Sequence, residues 1–229
     1  EKELLTQKKQ VFKNNVKIDP ETGLWTEYSD DKMSAKYDLE TGYFVYQAKV
    51  DGVAQEEQLY MSCGDNLYLV EPIKWIVLET TGGESLLISS KILDGGIKYN
   101  DLYGDCTWET SSLRDWLNGT DEYNINNGAK YKEKLNFLNR AFSEAEIAEL
   151  KKVTVSCADN DTYKTEGGND SENVVYLLSQ AEFNKYFTAE SGFNSMAYGT
   201  NYAKARGLAS DNKDAGIWWL RDPGAKTFM

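Results

Sequence analysis

Two short peptides hold the residue types that ligand binding or catalysis would need. Trp108 and Glu109 stand just ahead of Arg114, and Trp218-Trp219-Leu220-Arg221-Asp222 lies near the end of the sequence. An indole stacks on rings and cations, a guanidinium makes paired hydrogen bonds to carboxylates, and an acid orients a polar ligand or moves a proton. The candidate ligand-binding set is therefore Trp108, Glu109, Arg114, Trp219, Arg221 and Asp222. The same charges can instead tie loops together as buried ion pairs, and on residue type that reading is favoured. In a strand, Trp218 and Trp219 would face opposite sides, so only one of them could line a given pocket.

What is missing narrows the chemistry. The sequence contains no histidine, which removes Ser-His-Asp and Cys-His nucleophilic machinery, histidine bases and most histidine-containing metal sites. Its 37 Asp and Glu residues leave a carboxylate-based hydrolase open as an alternative, but no spacing singles out two of them. Such an enzyme would need two acids about 5–9 Å apart in a cleft, one of them with a raised pKa. No GxGxxG, P-loop, GxSxG or HExxH motif is present. Cys63, Cys106 and Cys157 form no CxxC pair and are expected to be buried small hydrophobes. The polar stretch Cys157–Asn173 supplies Asp159, Asp161 and Asp170 as a conceivable calcium set, together with Glu166 and Glu172. Lys164 stands where an EF-hand loop needs glycine. A solvated loop is the better reading, and no metal or cofactor is expected.

Charge bears on partners. Lys and Arg number 25, and the net charge is −12. An acidic surface repels phosphate, so nucleic acid and anionic membranes are poor partners. No apolar run is long enough for a transmembrane helix. The sequence opens on Glu1 with no apolar leader, which fits a processed, exported protein.

The elements that must position the candidate residues can be read from turns and caps. "DPETG" and "DLETG" repeat as turns at strand starts, with a calcium set of Asp19, Glu21, Asp38 and Glu40 as the weaker reading. "YFVYQAKV" and "EQLYMS" form a hairpin through Asp51-Gly52, and "IKWIVLET" and "ESLLISS" form another through the "TGG" turn. Short helices follow. "WETSSLRDWLNG" has Thr110 or Ser111 as N-cap, Gly119 as its stop and Trp116 in the core. "KEKLNFLNRAF" is a second helix. "SEAEIAELKK" and "SQAEFNKYF" each open on a capping box, and the first should turn Ile147 and Leu150 to the core. "TNYAKARG" makes another helix. Val174–Ser179 and "GIWWLR" read as strands.

"PIKWIVLE", "LLISSKILD", "WETSSLRDWLNG", "FLNRAFSEAEI", "VYLLSQAEF" and "YAKARG…WWLRDPG", in that order over Pro72 to Met229, resemble the DUF6273 family of bacterial domains found in Firmicutes. Asp222 departs from the family's usual Ser. The resemblance implies an α+β, C-type-lectin-like fold, distantly similar to formylglycine-generating enzymes. In this fold short helices pack around a twisted antiparallel sheet. It implies a domain over 71–229, preceded by a β-rich segment over 1–70. It also implies closing strands beyond the Pro-Gly turn, so that the domain would be incomplete at its C-terminal end. The late cysteine pair of those oxidases is absent, as are the Glu-Pro-Asn and Trp-Asn-Asp motifs of calcium-dependent lectins. The expectation is an extracellular or cell-surface module that binds a protein or glycan without catalysis. A structural subunit of a surface assembly is a further alternative, and its signature would be an exposed apolar patch or sheet edge.

Overall fold

The computed structural model describes residues 17–18, 25–38, 42–120, 136–193, 195–211 and 214–224. The chain divides into two compact units, Glu1–Pro72 and Ile73–Met229. Both units are built from short elements, giving a mixed α+β protein in which a strand-rich first part precedes scattered helices.

The first unit is an antiparallel meander of six strands in chain order. They are β1 (Lys17–Ile18), β2 (Trp25–Ser29), β3 (Met33–Tyr37), β4 (Tyr43–Val50), β5 (Val53–Cys63) and β6 (Asn66–Leu69). The β4–β5 turn is Asp51-Gly52, with φ of 50° and 78°. Two positive φ values in succession match the twist of a hairpin and suit Asp-Gly. The β2–β3 turn is closed by Asp30, whose Oδ1 accepts from the N–H groups of Lys32 and Met33, both at 2.8 Å. The Tyr28 hydroxyl donates to its Oδ2 at 2.6 Å. Buried Tyr28, Met33 and Ala35, with Tyr46 against them, form the small core. Asp19, Glu21 and Glu40 lie outside the described residues, as do the first sixteen positions, Lys132–Leu135 and the final "AKTFM".

The second unit opens with the hairpin of β7 (Trp75–Thr81) and β8 (Glu84–Ser89), joined by Gly82-Gly83. Next come a 3₁₀ turn (Trp108–Thr110) and helix α1 (Ser112–Asn118). Helices α2 (Phe137–Ala141) and α3 (Glu144–Glu149) follow. Strands β9 (Val153–Val155) and β10 (Ser171–Asn173) pair antiparallel. Helices α4 (Gln180–Tyr186) and α5 (Asn201–Ala205) complete the described elements. The sheet structure of this unit is thus two separate two-stranded ribbons among the described residues.

Capping explains where the helices begin. Ser111 caps α1 by accepting from Arg114 N, and Ser143 and Ser179 form reciprocal boxes with Glu146 and Glu182. Each box satisfies two amide donors that a helix start leaves unpaired. Gly119 ends α1 at φ 69°, and a Cβ there would lie 2.8 Å from Asn136 Nδ2. Glycine is needed at that position for both conformation and space.

The core of this unit gathers Trp108, Leu113, Leu117, Val155 and Cys157, with Tyr99, Trp116, Phe137, Tyr176 and Leu177 packed around them. Trp116 is only half-buried, as are Ile147 and Leu150. Two expected strands are not strands. Val174–Ser179 and Ile217–Arg221 belong to no ladder, because other groups take up their backbone hydrogen bonds. Asn118 Oδ1 accepts from Val174 N and Val175 N, and its Nδ2 donates to Val175 O. Gly216 N, Ile217 N and Arg221 N donate to Ala197 O, Ala209 O and Leu178 O, three different segments.

Candidate functional site

The six candidate residues divide by what they touch. Trp108 is 1% exposed and sits in the core, where its indole N–H has no partner. Arg114, on α1, is 4% exposed. Its Nε donates to Asn173 Oδ1 (3.0 Å), one Nη to Glu109 O (3.3 Å) and the other to Glu172 O (3.1 Å). It lies 3.9 Å from the carboxylate of Asp115, which is fully buried. The guanidinium therefore joins the 3₁₀ turn and α1 to β10. Glu109 is also buried, and its Oε1 accepts from Asn169 Nδ2 at 2.9 Å.

Arg221 is clamped more tightly still. At 4% exposure, it donates from Nε to Ser156 O (2.9 Å) and from one Nη to Leu177 O (2.8 Å). Both Nη atoms engage the Glu182 carboxylate, one on Oε2 and one on Oε1 at 3.1 Å. The Tyr176 ring lies 5.7 Å from the guanidinium. The backbone carbonyl of Arg221 accepts from the Tyr99 hydroxyl (3.0 Å) and the Cys157 thiol (3.1 Å). Asp222 Oδ2 accepts from Gln180 N at 2.6 Å, at the first residue of α4. An acid there suits the partial positive charge of a helix start.

The electrostatics follow from this packing. Burial pushes the Cys157 thiol up to about 12, with the nearby Asp222 carboxylate adding to the shift. Burial also raises Tyr99, with the nearby thiols of Cys157 and Cys106 adding to it. For Glu182, burial alone would raise the carboxyl, but the hydrogen bonds from Arg221 and Ser179 hold it below its ordinary value. Among the described residues, the other displaced carboxyls, those of Asp30, Glu79 and Glu146, also move downward. A general acid needs the opposite shift.

Trp219 differs from the other five. It is 38% exposed, yet its indole N–H donates to Ile97 O at 3.1 Å and its ring meets Tyr99 edge-on at 5.7 Å. Trp218 turns the other way, packing on Phe183 and Phe187. Opposite facing thus holds without a strand. Ile97 also lines a shallow open cleft of about 180 Å³, together with Gly96, Lys98, Asp101, Ser112, Leu113 and Trp116. That is below the roughly 300–1,000 Å³ of a site for a drug-sized ligand, so the cleft could hold one ring or one side chain.

Asp159 Oδ1 accepts from Gly167 N at 2.8 Å, Asp161 lies 3.8 Å from Lys164, and Asp170 is exposed. Among the described residues, no group of three or more His, Cys, Asp or Glu side chains is arranged to hold a metal. No two of the three cysteines are joined in a disulfide; Cys157 is buried, and Cys63 and Cys106 are half-buried. No helix among the described residues is long and apolar enough to cross a membrane.

Sequence reasoning missed several residues that complete these clusters. Asn118 makes four hydrogen bonds, to Arg114 O and to the backbone of Val174 and Val175. In the sequence it reads only as half of an Asn-Gly helix stop. Glu182 reads as a capping residue, although the same carboxylate also holds Arg221. Tyr99 and Asn173 carry no local signal.

These features define a mixed α+β domain in which five of the six candidate residues are tied into the framework and Trp219 is held at the surface. The chain belongs to the DUF6273 family, described as a domain of unknown function, whose profile matches residues 83–229. The match begins at Gly83, in the β7–β8 turn. No curated protein and no solved structure matches the chain.

Proposed function

We propose that the protein is an exported or cell-surface bacterial module that binds a protein or glycan without catalysis, on a C-type-lectin-like scaffold spanning residues 71–229. The observation that carries this reading is the contrast within the candidate set. Trp108, Glu109, Arg114, Arg221 and Asp222 are engaged in the framework, whereas Trp219 is half-exposed and held by a hydrogen bond and an aromatic contact. A fixed aromatic surface loses little entropy when it is covered, which is why tryptophan is enriched at binding hot spots. Lys98, in the adjoining cleft, supplies a donor for orientation. The ligand would thus contact Trp219 and Lys98, with Arg221 O holding Tyr99 against the Trp219 ring.

The test is a panel of neutral oligosaccharides and short peptides titrated against the protein, read by tryptophan fluorescence and calorimetry. A saturable response that Trp219→Ala abolishes, with the melting temperature little changed, is the expected result. Turnover of any panel member that depends on Glu109 or Asp222 would overturn the non-catalytic reading.

A further inference from the structure

We draw no further inference here: the strongest candidate, the apolar ribbon of β7 and β8 with Ile76, Val77 and Leu87 open to solvent, carries none because nothing in the structure shows what covers it.

Discussion

Replacing Arg221 with Met tests the clamp most directly. The substitution keeps an apolar stem of similar reach but removes the charge and every side-chain donor. It strands the Glu182 carboxylate and takes donors from Ser156 O and Leu177 O. Breaking a buried ion pair from one side costs about 3–5 kcal/mol. The Glu182 side chain keeps 27% exposure, so water can reach it, and the lower end, about 3 kcal/mol, is expected. With a urea dependence of about 1–3 kcal/mol per molar, the midpoint should fall by roughly 1–3 M. Tryptophan fluorescence is a suitable probe, because every tryptophan except Trp25 lies in the second unit. Arg221→Lys should fall between wild type and Met, since it keeps the charge but loses the planar fork. The double variant Arg221→Met/Glu182→Leu should be more stable than Arg221→Met, because no charge is left stranded. Lys204→Met, at the exposed pair with Asp214, should cost less than about 1 kcal/mol. A loss below about 0.5 kcal/mol for Arg221→Met would refute the reasoning and return Arg221 to the list of groups available to a ligand.

Three other outcomes are expected. Cys157, its thiol raised to about 12, should react with Ellman's reagent at pH 8 at least about 10³-fold more slowly than an ordinary thiol; comparable native-state rates for Cys63 and Cys157 would contradict this. Because the folded pKa of Glu182 is lowered, its stabilising contribution is present above the unfolded value of about 4.3 and is lost as pH falls through the folded one. Glu182→Gln should therefore lose less stability than wild type between pH 7 and pH 3, and an unchanged acid limb would count against the pairing. Gly119→Ala should cost about 1–2 kcal/mol and lower the melting temperature by about 2–8 °C, since the residue sits at positive φ against Asn136; an unchanged melting curve would show that α1 can end another way.

Local elements were legible where one or two adjacent residues determine them. Asp51-Gly52 and Gly82-Gly83 are turn pairs by their own conformational preference, and the Ser-x-x-Glu boxes at Ser143 and Ser179 announce helix starts wherever they fall. The segments misread as strands have the right composition but not the expected partner. Val174 and Val175 look like strand residues, yet their amides are met by the side chain of Asn118, 56 and 57 positions away. Periodicity cannot report a contact at that distance. The division of labour within the candidate set was not legible. Trp, Arg and Glu serve equally well in a ligand site or a buried tie, and only burial separates Arg221 from Trp219. The sequence likewise supplies the acids for a calcium loop, but their backbone and lysine partners emerge only in the folded chain.

Asn118 and Arg221 do work that a neighbouring strand performs in most sheets, and this changes how mutations are tolerated. A ladder spreads its specification over many residues, so each can vary a little and none is indispensable. Here the side chains of Asn118 and Arg221 hold Val174, Val175 and Leu177, and Arg221 N and Glu182 hold Leu178 and Ser179. A saturation scan should therefore show sharp intolerance at positions 118 and 221, as well as at buried Leu178 and Ser179 within the segment they hold.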